Sequence, residues 1–411
     1  MDCVGLCQVV QNLGVADPSL ARFFGLLIGV LLVSGVPLLT VVILILAERK
    51  IAARIQDRIG PNRVGPYGLL QTVADLLKLL AKEDITPAAA DRILYNAAPL
   101  VSFASVVLIW AVIPFMYSPN DPGAYVGVDL GIGVLYFVAI ASLGTLAIMT
   151  AGWASNNKYA LLGAFRVVAL LVSYEIPLVF ALLIPVMLAG SMSMVDIVNA
   201  QSHMWFIFMS PLAAVMFFVS SQAETGRAPF DLIEAESELV AGFNIEYSGM
   251  KFGMFFAAEF LHVFTNGILL AILYVGGYMG FLYQSIPILG FAYLGLKGSI
   301  FYFISLWLRN TLPRLRIDQV MKFNWFFLVP ISILNVVLTA LILKLMQVAG
   351  WAPTDLANSS LMGVLPMTIV LLAKDVIMII VIMGRVVLEG RDARVAEQQL
   401  NDELLVTAAG D

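Results

Sequence analysis

The stretch FFGLLIGVLLVSGVPLLTVVILILA, residues 23–47, decides the fold, because it is long, apolar and free of charged residues. A helix needs about 20 such residues to cross the hydrocarbon of a bilayer. The stretch is too long for the core of a signal peptide and no small-residue cleavage site follows it, so we expect a retained membrane helix. Similar apolar runs follow at residues 97–117, 130–151, 167–189, 204–221, 252–280, 288–308, 326–347 and 362–384.

The composition agrees with this pattern. The chain has 411 residues, of which 61% are hydrophobic and 12% charged. Soluble globular proteins are nearer half apolar and about a quarter charged. We therefore predict an all-α fold, a polytopic transmembrane helix bundle of about nine spans that forms a single membrane domain over residues 1–411.

The basic residues predict the orientation of the bundle, because cytoplasmic loops carry an excess of Lys and Arg. Of the 23 Lys and Arg, 19 lie on one set of alternate connections and the tail. The opposite connections carry none; they are residues 118–129, 190–203, 281–287 and 349–361. The pattern predicts an N-terminus outside and a flexible cytoplasmic tail at residues 385–411.

The segment 48–96 combines turn residues with a helical pattern and is predicted to lie on the cytoplasmic side. One face of the helix is apolar and the other polar; the apolar residues are Leu69, Leu70, Val73, Leu76, Leu77 and Leu80, and the polar ones are Gln71, Asp75, Lys78 and Lys82. This pattern is typical of an interfacial amphipathic helix. Its role is either a peripheral anchor or the entry wall for a lipid-soluble ligand.

A dense group of carboxylates marks residues 222–250 and the start of the following apolar run. Its members are Glu224, Asp231, Glu234, Glu236, Glu238, Glu246 and Glu259. Apolar residues are interleaved with them, which favours a partly buried cytoplasmic segment over a solvated acidic loop. Ionised groups near a bilayer are costly and normally face water, a partner or a proton path.

Other ionisable residues lie inside the apolar runs: Glu175, Lys297 and the adjacent Lys374 and Asp375. Such residues pair with one another or line a hydrated path. For Glu175, Glu259 and Lys297 both interpretations stay open. For Lys374 and Asp375 structural ion pairing is the preferred interpretation. His262 lies three residues after Glu259, on the same helix face, and could share a proton with it.

Several kinds of site are excluded by what the sequence lacks. Cys3 and Cys7, either free or joined in a disulfide, are the only cysteines, so four-cysteine metal or cluster sites are ruled out. His203 and His262 have no metal-ligand spacing. No phosphate-binding glycine loop, dinucleotide fingerprint or hydrolase nucleophile motif occurs. We therefore predict no metal site, no prosthetic group and no nucleic-acid partner for this chain.

Four long motifs resemble one known family. They are AERKIAARIQDRIGPNRVGPYGLLQTVADLLKLLAKED, GWASNNKYALLGAFRVVALLVSYE, AETGRAPFDLIEAESELVAGFNIEYSGMKF and WLRNTLPRLRIDQVM. The chain resembles the H-type membrane subunit, mitochondrial subunit 1, of NADH:quinone oxidoreductase, respiratory complex I. The resemblance implies a proton-translocating complex in a bacterial inner membrane, with quinone as substrate and with FMN and iron–sulfur clusters in partner subunits. The implied partners are peripheral-arm subunits that form the quinone chamber, small membrane subunits, antiporter-like subunits and lipid.

The resemblance also implies roles for individual residues. Those of the quinone entrance and chamber are Glu48, Arg49, Ala52, Arg58, Asp75, Glu224, Arg227 and Phe256. Those of proton coupling are Glu175, Asp231, Glu234, Glu236, Glu238, Glu246, Glu259, His262 and Lys297. Those that make inner-loop contacts are Arg309, Arg314, Arg316 and Asp318. The sequence departs from the family pattern at Phe260, His262 and Ile317.

Two other functions compete with this interpretation. One is the homologous membrane subunit of a hydrogenase or ferredoxin-dependent complex, and the other is a free-standing ion-coupled transporter. The uninterrupted GPNRVGPYGLLQ and FNIEYSGMKF stretches favour the dehydrogenase. The sequence shows no internal repeat of the kind common in transporters.

Overall fold

The computed structural model describes residues 18–117, 124–231, 241–351, 353, 356 and 359–410; the side chains of 386–410 and of a few residues at the start of the first helix are not described. Its helices, in chain order, are α1 (Pro18–Ile55), α2 (Gln71–Ala81), α3 (Arg92–Ile109), α4 (Gly133–Ala154), α5 (Lys158–Ala189), α6 (Met194–Ala200), α7 (Phe206–Met209), α8 (Pro211–Glu224), α9 (Gly249–Tyr274), α10 (Pro287–Thr311), α11 (Ile317–Phe323), α12 (Val329–Val348) and α13 (Leu361–Gly410).

Short elements complete the described part. Single 3₁₀ turns lie at Pro66–Gly68, Trp110–Val112 and Gly242–Asn244, and a π-helical turn at Asn324–Leu328 joins α11 to α12. Two short strands, β1 (Met116–Tyr117) and β2 (Ala124–Tyr125), pair in antiparallel register.

Eight helical segments within the described residues are long and apolar enough to cross a membrane, which confirms the helical membrane-bundle fold. They are Phe23–Ile55, Arg92–Val112, Gly133–Ala154, Lys158–Ala189, Gly249–Tyr274, Pro287–Thr311, Ile317–Val348 and Leu361–Arg385. Each corresponds to one of the apolar runs predicted above.

The prediction that residues 204–221 form one spanning helix was wrong. Ser210 has an extended backbone (φ −141°, ψ 72°) and separates α7 from α8. Pro211 lacks the N–H that would continue the helical hydrogen bonds. The segment lies against the C-terminal half of α9: Gln201, which precedes α7, donates to the Ile272 carbonyl at 2.8 Å, and Glu224, at the end of α8, accepts from Asn266 at 3.4 Å.

Small residues bring neighbouring helices close together. A Cβ on Gly152 of α4 would lie 2.3 Å from Cβ of Ala164 on α5, and one on Gly267 of α9 would lie 2.9 Å from the Gly298 carbonyl of α10. Any larger side chain there would force the helices apart. Such contacts are typical of membrane bundles, where close packing drives helix association.

The predicted amphipathic helix is present as α2, preceded by the 3₁₀ turn at Pro66–Gly68. Its apolar residues are exposed, with Leu77 61% and Leu80 59% accessible. The backbone of α13 continues without a break to Gly410. That the tail is flexible and that segments 48–96 and 222–250 face the cytoplasm stay predictions.

Candidate functional site

The centre of the bundle holds a buried arginine. Arg227 follows α8 in the chain and is 1% exposed. Its Nη1 donates to both carboxylate oxygens of Glu48, on α1, at 2.9 Å. Arg309 and Tyr302, both on α10, also donate to Glu48, the tyrosine at 3.3 Å. One carboxylate thus joins α1, α10 and the segment after α8.

A second carboxylate faces the other side of the same arginine. Glu259 Oε1, on α9, lies 3.1 Å from Arg227 Nε, and the Phe260 ring centroid lies 4.9 Å from the guanidinium carbon. Burial by itself lowers the pKa of Arg227, but the carboxylates of Glu259 and Glu48 outweigh it and raise that pKa. Arg227 therefore stays a cation. We call Glu48, Arg227, Glu259, Arg309 and Tyr302 the central cluster.

A cavity of about 70 Å³ adjoins the central cluster between α3, α4, α5, α8 and α9. Its ionisable lining residues are Glu224, Glu259 and His262, and its other polar ones are Ser102, Ser105, Thr145, Thr225 and Asn244. A water needs roughly 10–15 Å³ of such volume and two or more polar partners. The central cavity therefore has the room and the polar groups to hold water.

Glu224 is the most deeply buried carboxylate of the central cavity. It is the last residue of α8, beyond the run 204–221 and outside the eight long helices. It accepts from Asn266 at 3.4 Å and lies 3.9 Å from His262 Nε2. Burial, reinforced by the Glu175 carboxylate, raises the pKa of Glu224 to about 8. Burial thus favours the neutral, protonated form of Glu224.

Glu175 approaches this carboxylate from α5. Its side chain accepts a hydrogen bond from Ser142, on α4. The charge of Glu175 raises the pKa of Glu224 without a direct hydrogen bond between the two side chains. His262 was expected to share a proton with Glu259, but its ring lies against Glu224 instead.

Aromatic rings continue the cavity wall along α9. The ring centroids of Phe252 and Phe256 are 4.5 Å apart, and those of Phe256 and Phe260 are 6.4 Å apart. Phe256 itself lines the central cavity. The rings form an apolar path that ends over Arg227.

The predicted entrance residues also meet. Arg49, near the end of α1, donates to Asp75 of α2, and Gln71 donates to the same carboxylate at 3.1 Å. Ala52 is partly exposed beside them, whereas Ala53 is fully buried. Arg58 lies further along, where it donates to Gln56 at 2.7 Å. The Arg49–Asp75 pair holds α2 against the end of α1.

The structure does not bring Lys297 to Glu175 or Glu259, so Lys297 is not the ion-pair partner of either carboxylate. Lys297 Nζ donates to the carbonyls of Val275, Gly277 and Met279 at 2.7–2.9 Å. Val275 is 16 residues beyond Glu259, about 24 Å along a helix. Lys297 instead caps the C-terminal end of α9, where a positive charge is favourable.

The remaining predicted residues are dispersed. Glu246 accepts from Asn157 at 2.7 Å, and Asp231 accepts from Arg314 at 2.8 Å. Arg316 and Asp318 are exposed near the start of α11. Glu234, Glu236 and Glu238 lie outside the described residues, as do Cys3 and Cys7. Within the part of the chain that the structure describes, no group of three His, Cys, Asp or Glu side chains could hold a metal ion.

Sequence reasoning missed several members of the site. Tyr302 was not singled out, although it precedes Arg309 by seven residues and so shares its helix face. Gln222, which accepts from Ser305 at 2.6 Å, was also overlooked. Both are neutral polar residues, Tyr302 inside an apolar run and Gln222 directly after one, and a search for charges alone does not detect them.

Comparison with known proteins identifies the family. The sequence model described as NADH dehydrogenase matches residues 28–340, which is most of the chain and includes every member of the central cluster. The chain belongs to the NADH dehydrogenase family. The match ends within α12, so α13 lies beyond it.

Bacterial relatives in this family are similar over nearly their full length. The NADH-quinone oxidoreductase H subunit of Geobacillus thermodenitrificans is 49% identical over 329 residues, which are 80% of this chain and 96% of the relative. The same subunit of Brevibacillus brevis is 45% identical over 328 residues, again 80% of this chain and 96% of the relative.

Proposed function

We propose that this chain is the subunit of a proton-translocating NADH:quinone oxidoreductase that forms the membrane side of the quinone chamber and begins proton coupling. The observation that carries the proposal is Arg227, a fully buried cation held by Glu48 and Glu259 beside a cavity that Glu224, Glu259 and His262 line. Buried ionisable groups in a membrane protein normally serve a ligand or an ion path. The named relatives support the same function.

Quinone enters between the end of α1 and α2. A polyisoprenoid quinone must come sideways from the bilayer, and α2 offers an exposed apolar face for its tail. The Arg49–Asp75 pair fixes the width of this passage by holding α2 to α1. The aromatic rings of Phe252 and Phe256 then provide an apolar wall toward the central cluster.

Proton coupling follows from the charges around the central cavity. Reduction of a quinone takes up electrons from partner subunits and an equal number of protons, and groups near the quinone that supply those protons become more negative. Glu224, Glu259 and Glu175 respond because the protonation of a buried carboxylate depends on nearby charges. Water in the central cavity connects Glu224 with Glu259, both of which line it, so a proton taken up on one can be passed to the other. Glu175 acts on Glu224 through its charge. Lys297 has no part in this path; its role is to cap α9.

The redox groups, FMN and iron–sulfur clusters, belong to the partner subunits of the peripheral arm. The residues of 222–250, with Arg314 and Arg316, face these subunits on the cytoplasmic side. Small membrane subunits and antiporter-like subunits adjoin the bundle and receive the coupling signal. The chain lies in a bacterial inner membrane, with the N-terminus outside.

A native gel tests this assignment directly. Membranes that lack this chain are solubilised, separated and stained for NADH dehydrogenase activity, with and without the wild-type chain supplied in trans. We expect the chain to co-migrate with a large NADH-oxidising complex whose quinone reductase activity is lost without it. Migration with a hydrogenase, or as an isolated protein with transport activity, would favour one of the two alternatives.

A further inference from the structure

We propose that Asp375 of α13 is a positioning residue that fixes the start of α8 and thereby sets where Glu224, at the other end of α8, lies in the central cavity. Its enzymatic consequence rests on the proposed function above, whereas its effect on α8 does not.

The break between α7 and α8 leaves the start of α8 without a cap of its own. Ser210 makes no side-chain capping hydrogen bond, and Pro211 has no N–H to offer. Asp375 supplies the missing acceptor from another helix: its Oδ2 accepts from Leu212 N at 3.1 Å and from Ser210 Oγ at 3.0 Å. A carboxylate at this end of a helix is also favoured by the helix dipole.

Lys374 links the start of α8, through Asp375, to α12. Its Nζ lies 2.7 Å from Asp375 Oδ1, which confirms the ion pair predicted from the sequence, and donates to Asn335 and Thr339 at 2.6 Å each. Asp375, Asn335 and Thr339 are all fully buried. Because adjacent helical residues point about 100° apart, one pair on α13 engages two different helices.

The length of α8 transmits this constraint. Its 14 residues extend about 21 Å, from the Asp375 contact to Glu224. At the far end Gln222 bonds Ser305 and Glu224 bonds Asn266, so a displaced α8 disturbs both contacts. Asp375 lies on α13, outside the residues 28–340 that the family model matches.

The charged groups that face Glu224 decide how its titration responds. Glu175 approaches from α5, His262 from α9, and Arg227 follows α8 in the chain with Glu259 against it. Burial is the largest cause of the raised pKa of Glu224. A displacement of α8 that admits water therefore lowers this pKa toward the ordinary range of a glutamate.

The decisive variant replaces both Lys374 and Asp375 by Leu in the assembled complex. Apolar replacement of a buried ion pair is often neutral for folding, whereas removal of one partner is not. Lys344→Leu, at an exposed lysine of α12, is the matched control. Hydrogen exchange of residues 211–224 is compared with that of α5. We expect at least about tenfold faster exchange at the start of α8 in the double variant alone; unchanged exchange would overturn the proposal.

The pH dependence of quinone reduction gives the functional readout. We expect the alkaline limb of the pH–activity profile of the double variant to lie about one pH unit lower than that of wild type and of Lys344→Leu. Glu224→Gln in an otherwise wild-type chain separates the two hypotheses. If this variant keeps the alkaline limb of the pH profile, the proposed role of Glu224 is wrong. Hydrogen exchange of α8 is then the test of Asp375. If Glu224→Gln abolishes the limb but the double variant keeps it unshifted, Asp375 does not position Glu224.

Discussion

At the scale of single residues, the geometry around Arg227 explains why this position requires arginine. One guanidinium reaches Glu48 through Nη1 and Glu259 through Nε, on two different helices. A lysine ammonium is a single point charge and cannot present this planar arrangement of donors. Its aromatic partner, Phe260, further favours a flat cation.

Arg227→Lys is therefore expected to lower the amount of assembled complex severely. Breaking one side of a buried ion pair leaves an uncompensated carboxylate and costs about 3–5 kcal/mol. The measurement is the intensity of the NADH-stained complex on a native gel. Arg92→Lys, at an exposed arginine, is the control and should assemble normally. Wild-type assembly and activity in Arg227→Lys would show that one of the two carboxylate contacts of Arg227 is dispensable.

At the scale of elements, the sequence predicts the long helices well, because an uninterrupted apolar run of spanning length has few alternatives in a bilayer. The break at Ser210 was missed because hydropathy averages over it, although Pro211 marks it. The position of Lys297 could not be predicted either. A lysine in an apolar run pairs with whatever acceptor tertiary packing supplies, and here the acceptors are carbonyls after α9.

The cap on α9 makes Lys297 a structural residue in this account. Lys297→Met leaves three carbonyl groups without their donor, at a cost of about 1–3 kcal/mol for each buried group. We expect a lower thermal stability of the complex but an unchanged number of protons moved per NADH in the complexes that assemble. Lys344→Met is the control. A stable variant with a reduced proton ratio would restore Lys297 to the coupling path.

The junction of α1 and α2 makes a prediction about substrate size. Ala52→Trp narrows the passage beside the Arg49–Asp75 pair, so it should raise the KM for long-tailed quinones several-fold more than for short ones. Ala53 is unsuitable for this test because its side chain is fully buried. Leu39→Trp, at an exposed site on the same helix, controls for bulk. Equal changes for both quinone lengths would argue against entry here.

At the scale of the whole molecule, the contacts made at the two ends of α9 define two ends of the bundle. Ser248 accepts from Ile85 N at 3.2 Å, so the start of α9 and the residues before α3 lie at the same end of the bundle. Gln201 lies at the other end, where it contacts residues that follow α9. The charge bias then assigns the first of these ends to the cytoplasm.

Cysteine labelling tests that assignment. Ser237→Cys and Ser248→Cys should react with a membrane-impermeant reagent only in inverted vesicles. Ser285→Cys, in a connection without basic residues, should react only in right-side-out vesicles. The opposite pattern would reverse the orientation, and labelling of all three from one side would remove the crossing formed by α9.

The central claim is that the buried carboxylates around Arg227 couple quinone reduction to proton movement, and replacing Glu259 or Glu175 by Gln tests it most directly. Gln keeps the shape and hydrogen-bonding capacity but cannot titrate. NADH oxidation and acidification are measured together in inverted vesicles that contain equal amounts of assembled complex, with Glu83→Gln, an exposed residue, as control. We predict slow quinone reduction and weak acidification in both variants and wild-type values in the control. Full rates of both processes in Glu259→Gln and Glu175→Gln would contradict the account.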